Sequence, residues 1–558
     1  MELLLSKEYL SMPVPFGMSD WLTFWLMLVI SAVNGIIMLF VGYKFLQILQ
    51  LSGYKSKGYF EWLKSTKCKY VGRLVVLSFL STAALLVTNV LLEQLFIYKI
   101  LTYLGLVFYF VFCMIFIVNM YNAPQRVPLK YTRRMNRLCA VLFFVVMVFS
   151  FLIMTASELF IPYLEFGALG LTPVFLPIFV LIAFYITAPF EALNARRYVK
   201  KARQKLAEEY PNIITIGITG SYGKTSVKSM LSTILSEKFR VCSTPFSYNT
   251  PLGLSKTILD NMNGEYDIFV AEMGAKYVGD IKYLCDMVRP NIGVITGIGN
   301  QHLATFGTQE NLIATKSEIF GSMADGGKAY VNTDSKLAKE LYENITVEKV
   351  QTSLTIKDNK YCVSNLSVGP KGSEFDLCLD GDAVHCSTIL LGEHNISNIL
   401  ISAAVAYDLG VSPEQIQQAI SKLTPPAHRL AIVPSSNSLT IIDDAYNGSV
   451  EGSRAGLDVI SKFSGQKIVI TPGLVDLGKD EFDSNFELGR QMAGVATYVI
   501  IDGIVNYDAI SAGLEFAGFD MKNVLRAGNL SQSVEVLNTI AKPGDVVLFE
   551  NDLPDNYM

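Results

Sequence analysis

The segment Ile216-Gly217-Ile218-Thr219-Gly220-Ser221-Tyr222-Gly223-Lys224-Thr225-Ser226 joins a β-prone run (212–218) to a stretch of helical periodicity (227–235). Gly220 and Gly223, flanking Ser221, let backbone N–H groups approach an oxyanion. The helix N-terminus adds a positive dipole end, Lys224 a mobile cation and Thr225 a hydroxyl for Mg²⁺. The pattern reads as a phosphate-gripping loop for a nucleoside triphosphate. The strict P-loop spacing asks for Gly where this chain has Ile218. The plainer alternative is a glycine-rich turn before a helix that happens to carry Lys.

Further chemistry-bearing clusters follow. Residues 267–275 form an apolar strand ending in Glu272-Met273-Gly274-Ala275, and an acid at such an end can hold Mg²⁺. His302 lies in Gly299-Asn300-Gln301-His302-Leu303, just past a strand at Ile292–Ile295, where α/β sites form. A lone His is more often structural than a ligand, and Lys316, in Lys316-Ser317-Glu318-Ile319-Phe320, would ordinarily be a solvated cation. Asn395 and Asn398 fall in Gly392-Glu393-His394-Asn395-Ile396-Ser397-Asn398, and Arg429 follows a Pro-Pro break. Asp443-Asp444-Ala445-Tyr446-Asn447-Gly448 comes next.

The elements that position these groups alternate. Apolar runs at 213–218, Ile268–Glu272, Ile292–Ile295, 468–470, 498–501 and 546–549 read as buried parallel strands. Helical segments, including 227–238 and 311–323, lie between them. Such alternation predicts doubly wound α/β domains, here an ATP-binding central domain (211–424) and a Rossmann-like C-terminal domain (425–558), split at Thr424-Pro425-Pro426. No internal repeat or low-complexity segment is evident.

The first part is different. Of 558 residues 51% are hydrophobic and only 17% charged, and residues 1–210 carry a net +10 against −14 for the remainder. Runs of bilayer-spanning length occur at 21–46, 74–95, 101–121, 138–155 and 171–190, predicting an α-helical membrane domain over 1–190 with five spans. A basic interfacial helix is expected at 191–210. Lys and Arg crowd the connections after spans one, three and five. The other connections hold Glu93, Lys99, Glu158 and Glu165. The positive-inside rule puts the N-terminus outside and everything after span five in the cytoplasm, where ATP is. The expected location is the plasma membrane, multi-pass, with the bilayer as a partner. The first 20 residues lack a basic leader before an apolar core, so no cleaved leader is expected. The eight cysteines form no CxxC pair and read as free thiols.

Taken together and in order, the clusters resemble the Mur ligase family, the ATP-dependent amide-forming ligases of peptidoglycan precursor synthesis. The loop continuing into Val227-Lys228, the Glu-Met-Gly-Ala strand end, the Lys-Ser-Glu-Ile helix and Asp-Asp-Ala-Tyr-Asn look like those of the D-alanyl-D-alanine-adding member. The resemblance runs from about residue 213 to the C-terminus, roughly three-fifths of the chain.

The resemblance implies ATP and two Mg²⁺ as cofactors. Gly220, Ser221, Gly223, Lys224, Thr225 and Ser226 would cradle the phosphates, with Lys224 on the β/γ-phosphates. Thr225, Glu272 and His302 would ligate magnesium. Lys316 matches the lysine that the family carbamylates to support the second ion. Asn249 sits in the family's loop after the second strand, and Asn395 and Asn398 would lie near the adenine. Arg429 would reach the γ-phosphate and Asp444 the ribose, with Tyr446 and Asn447 completing that edge. The implied reaction activates a carboxylate as an acyl phosphate, which an amine attacks, with domain closure excluding water.

Three places depart from the family. Membrane spans replace its UDP-binding first domain, Thr471-Pro472-Gly473-Leu474-Val475-Asp476-Leu477-Gly478 varies its Gly-Asp-Met-x-Glu-Leu-Gly strand end, and the acidic end from Phe549 to Tyr557 has no counterpart. That end would either favour an incoming amine or be a solvated tail. The expected protein is a membrane-embedded amide ligase joining an amino acid or short peptide to a lipid-linked envelope glycan or precursor. A membrane-tethered D-alanyl-D-alanine-adding enzyme and a polyglutamate-type synthase are the alternatives. No nucleic-acid partner is expected. An ATP-driven transporter fits less well, because the chain lacks Leu-Ser-Gly-Gly-Gln and few charges lie inside the spans.

Overall fold

The computed structural model describes residues 18–65, 69–90, 98–121, 128–160, 167–299, 306–434, 438–445, 450–475, 477, 480–503 and 505–550. The chain divides into two compact units, the first reaching Asn194 and the second spanning Ala195–Leu553.

The first unit is helical: α1 (Met18–Val41), α2 (Tyr43–Leu51), α3 (Ser56–Ser65), α4 (Lys69–Val90), α5 (Tyr98–Tyr121), α6 (Arg133–Phe160) and α7 (Thr172–Glu209), of which the part from Ala195 on is counted with the second unit. Five of its helices are long and apolar enough to cross a membrane. α1 lies along α6, and α4 along α5. Phe79, Val107, Leu152 and Ile182 are exposed. Polar side chains instead bond inside the bundle: Asn34 Nδ2 donates to Ser150 Oγ at 2.8 Å and Tyr109 Oη donates to Asn34 Oδ1 at 2.6 Å. Apolar side chains outward and hydrogen-bonded polar side chains such as Asn34 and Tyr109 inward are the pattern that suits a bilayer.

One sequence expectation is corrected here. The fifth span and the basic helix after it are a single element, α7, of 38 residues with Pro177 and Pro189 inside it. Residues 191–209 contain no Gly or Pro and are rich in Ala, Glu, Lys and Arg, strong helix formers, so nothing ends the helix at the change of polarity.

The second unit continues as β1 (Ile214–Thr219), α8 (Lys224–Leu235), β2 (Val241–Ser243), α9 (Pro251–Lys256), β3 (Ile268–Glu272), α10 (Asp280–Val288), β4 (Ile292–Ile295), α11 (Gln309–Ser317), β5 (Lys328–Asn332), α12 (Lys336–Glu343) and β6 (Glu348–Thr352). The strands form one parallel sheet in the order β2-β3-β1-β4-β5-β6. β1 is therefore central, and the chain leaves its carboxyl end between β3 and β4, where open α/β sheets bind ligands. The helix expected at 311–323 stops earlier, at Ser317, followed by a short turn over Phe320–Ser322.

Next come β7 (Tyr361–Gly369), β8 (Gly372–Leu379) and β9 (Asp382–Thr388), an antiparallel sheet absent from the sequence reading. α13 (Glu393–Asp408) packs on α8 and reaches both sheets, burying Ile396, Ile399, Leu400 and Ala403. α14 (Pro413–Ser421) starts with a capping box between Ser412 and Gln415 and has Pro413 in its first turn.

After the Pro-Pro segment the chain forms β10 (Ala431–Val433), β11 (Thr440–Asp444), α15 (Val450–Ser461), β12 (Lys467–Thr471), α16 (Glu481–Ala493), β13 (Tyr498–Asp502), α17 (Tyr507–Phe516), β14 (Val524–Ala527), α18 (Leu530–Ile540) and β15 (Val546–Glu550). Their sheet runs β10-β11-β15-β12-β13-β14, parallel except for β10. Apolar clusters cover both of its faces, Val469 and Leu548 in one and Ile468 and Val547 in the other.

Candidate active site

The glycine-rich turn after β1 is held by the next strand's end. The Ser221 N–H donates to Gly297 O at 2.8 Å and Ser221 Oγ to Gly299 O at 2.9 Å. Thr296 Oγ1 donates to Tyr222 O. Gly220 admits no side chain, since a Cβ there would lie 2.2 Å from Thr296 Oγ1. Gly223 opens α8 with φ +78°, and no side chain caps the helix there. The first-turn N–H groups of α8 thus face the loop without a capping acceptor, as an anion site requires. Ser226 is buried in that first turn.

Lys224 folds back over the loop, donating to Gly220 O at 2.8 Å and Ser221 O at 3.0 Å. Burial pushes its amine down to about 8, with Glu272 opposing and Arg429 adding to the fall. Arg429, after the Pro-Pro segment, is therefore electrostatically felt at the loop.

Glu272 ends β3 almost fully buried and is the hub of the site. Its Oε2 accepts from Thr225 Oγ1 at 3.1 Å and Lys228 Nζ at 3.0 Å, and its Oε1 from Asn249 Nδ2 at 3.0 Å. Lys228 also donates to Phe246 O. Lys228 was not among the sequence-derived site residues. Its position four residues after Lys224, one helical turn along the same face, is the signal that could have found it.

Lys316, in the last turn of α11, is also buried, with Nζ 3.5 Å from Thr219 Oγ1. Burial first, then Lys224, depresses its amine far below the usual lysine range, against the pull of Asp280 and Glu318. Among the described residues no carboxylate lies within ion-pairing distance of it.

Asn398 Oδ1 lies against the loop, 2.9 Å from where a Cβ on Gly223 would be. Asn395 Nδ2 donates to Leu391 O at 2.8 Å. His394 beside it is held neutral, burial pushing its imidazole down to about 4.

From the second sheet, Asp444 ends β11 and accepts the Leu430 N–H at 3.2 Å. His428 Nδ1 pairs with Asp443 Oδ2 at 2.7 Å. Burial pushes the Asp444 carboxyl up to about 6, against the pull of the Leu430 N–H and Arg429 and with Asp443 adding to the rise. A cleft of about 680 Å³ separates the two sides, lined by Thr225, Lys228, Phe246, Tyr248, His428 and Arg429 among others. His302, Tyr446, Asn447, Asp476, Gly478 and the tail beyond Glu550 lie outside the described residues.

The arrangement combines a glycine-rich loop at an uncapped helix start, an adjacent carboxylate with a hydroxyl, buried lysines and an arginine from beyond the Pro-Pro segment. That set suits phosphoryl transfer, where positioning and charge neutralisation do most of the work.

Residues 218–406 match the Mur ligase middle domain. The UDP-N-acetylmuramoyl-tripeptide–D-alanyl-D-alanine ligase of Buchnera aphidicola is 32% identical over 270 residues, covering 48% of this chain and 58% of that protein. The enzyme of the same name from Bacillus subtilis is 28% identical over 357 residues, covering 62% of this chain and 76% of the relative. The chain thus spans little more than half the length of the first of these relatives. The solved MurF ligase of Thermotoga maritima in complex with ADP shares the fold, with a TM-score of 0.58 at 24% identity, covering 64% of this chain and 80% of that one. This chain is similar to the D-alanyl-D-alanine-adding Mur ligases, and its residues 218–406 match the Mur ligase middle domain.

Proposed function

We propose that the protein is a membrane-embedded, ATP-dependent amide ligase. It transfers the γ-phosphoryl group of ATP to a carboxylate, and the resulting acyl phosphate is attacked by the amine of an amino acid or short peptide, releasing phosphate. The observation carrying this reading is the convergence of Lys224, Thr225, Glu272 and Lys316 at the carboxyl ends of adjacent strands, with Arg429 acting from across the cleft.

In this reading Lys224 leaves the loop carbonyls for the β/γ-phosphates, and Arg429 draws charge from the transferring group. Thr225 Oγ1 and Glu272 Oε2, 3.1 Å apart, offer the hard oxygen donors that Mg²⁺ prefers, so the residues fit that ion. When bound, it neutralises charge on the transferring phosphoryl group. His302 is proposed as a further ligand on its match to the family.

Lys316 is proposed to be carbamylated. A buried cation with no carboxylate partner among the described residues is costly, and adding CO₂ to its uncharged amine gives a carboxylate-like group within reach of the same charges. Asp444 is proposed on the ribose, with Asn398, Asn395, Tyr446 and Asn447 on the nucleotide edge, and Asn249 holds Glu272. The boundary proposed between the ATP-binding and C-terminal domains is the Pro425-Pro426 segment.

The acceptor is proposed to be a lipid-linked envelope glycan or precursor. Five helices of membrane-spanning length stand where soluble relatives are expected to hold a UDP group, and the positive-inside bias puts the ligase half on the cytoplasmic side of the plasma membrane. The alternatives remain a tethered D-alanyl-D-alanine-adding ligase and a polyglutamate-type synthase. Mass spectrometry of envelope glycans and lipid-linked precursors, with and without the protein, separates them. A missing amide-linked residue on a lipid-linked species supports the first reading, and a missing dipeptide on a soluble UDP-linked precursor overturns it.

A further inference from the structure

The second sheet ends in a pair of acids that the proposed reaction does not use together. Asp444 and Glu550 are register partners on the parallel strands β11 and β15, so both stand at the carboxyl rim of the sheet. Glu550 is 1% exposed. Its Oε1 accepts from Ser453 Oγ at 2.6 Å, while its Oε2 is buried with no hydrogen-bond partner. That oxygen and Asp444 Oδ2 both border Gly456. A Cβ on Gly456 of α15 would lie 3.0 Å from Glu550 Oε2 and 3.7 Å from Asp444 Oδ2, so both carboxyl groups fill the gap that glycine leaves.

Two carboxylates in so small a buried space do not both ionise. Burial, then Asp444, drives the Glu550 carboxyl well above the usual range, which favours its protonated form. The charged and titratable groups around the pair are Asp443 and Arg429 beside Asp444, and His428 on Asp443. On the Glu550 side α15 offers the Ser453 hydroxyl. Asp444 in turn holds the Leu430 N–H. Leu430 and His428, on either side of Arg429, have left-handed φ of +47° and +60°, strained for non-glycine residues and kept only where the surroundings hold them.

We propose that Glu550 is a positioning residue: as a neutral acid it donates its hydroxyl to Asp444, which through the Leu430 N–H fixes the strained turn that carries Arg429 to the nucleotide loop. The assignment rests on the reading of Arg429 and Asp444 as nucleotide contacts. It adds a residue whose effect passes through Asp444 and not through the ligand.

The test uses full-length protein in detergent, with ATP affinity read by calorimetry and folding by thermal melting. Glu550→Gln keeps the donor without the charge and is expected to bind ATP within about twofold of the unaltered protein. Glu550→Met keeps the volume without the donor and is expected to lose about tenfold, while melting as a folded protein. In an Asp444→Asn background the methionine change should add nothing further, since it acts through Asp444. Equal binding by Glu550→Met and the unaltered protein, or equal loss in Glu550→Gln and Glu550→Met, overturns the proposal. Failure of the unaltered protein to bind ATP overturns the underlying reading instead.

Discussion

Lys228 Nζ lies 3.0 Å from Glu272 Oε2, and the two side chains are almost wholly out of water. The pair locks α8 to the end of β3, so the helix that presents Lys224 and Thr225 is fixed against the strand that presents the acid. Removing one partner leaves a buried charge uncompensated. Lys228→Met is therefore expected to destabilise the ATP-binding part by about 3–5 kcal/mol, seen as a lowered thermal transition. Unchanged melting would show that Glu272 finds another partner.

Lys316→Ala should abolish phosphate release, with partial recovery on adding short carboxylic acids that stand in for a carbamate. Full activity in that variant rules out the carbamate. Loss without chemical recovery points to a purely structural lysine.

ATP affinity should fall as pH rises through about 8, where burial has brought the Lys224 amine. The sign follows from its charge: below that pH the ammonium meets the phosphates, above it the neutral amine does not. Without nucleotide the stability effect is opposite. Folding has lowered this amine's proton affinity, so its burial costs stability below pH 8 and the cost is relieved as pH rises toward the free-lysine value. Affinity titrations and melting curves between pH 7 and 10, the range these values span, check both signs.

Much of this site was legible in the sequence because its parts sit in short motifs: the turn around Lys224, the strand ending in Glu272 and the helix holding Lys316 all lie where strand and helix periodicity put them. Beyond its spacing from Lys224, Lys228 is not legible as a site residue in the sequence, because only the fold brings Glu272 against it. Glu550 was noted merely as the start of an acidic end, because its partner Asp444 is more than a hundred residues away and only strand pairing joins them. The three strands from Tyr361 to Thr388 were missed although residues 361–368 mix apolar and polar types. The merger of the fifth span with the basic helix could not be read from hydropathy, which changes there while the backbone does not.

Gly223→Ala should weaken ATP binding at least tenfold and lower the melting temperature modestly, for a cost of about 1–2 kcal/mol. Its φ of +78° disfavours any side chain, and the new Cβ would press on Asn398 Oδ1 at 2.9 Å. Normal binding would mean that the loop relaxes without cost.

Glu550→Gln should raise the melting temperature at pH 8–9 relative to the unaltered protein and lose that advantage near pH 5. A carboxyl raised by folding contributes stability below its ordinary value that is lost as pH rises toward the folded one. A pH-independent difference would contradict the buried, protonated state.

The central claim is that phosphoryl transfer from ATP makes an amide on a membrane-held carboxylate. The direct measurement places the full-length protein in vesicles of lipid extract from cells lacking it, with ATP, Mg²⁺ and a mixture of amino acids and dipeptides. The account predicts ADP and phosphate in equal amounts only when lipid extract and amines are both present, together with a lipid-linked species heavier by the amine minus one water. ATP hydrolysis that ignores either component, or that proceeds with no new amide, would contradict it.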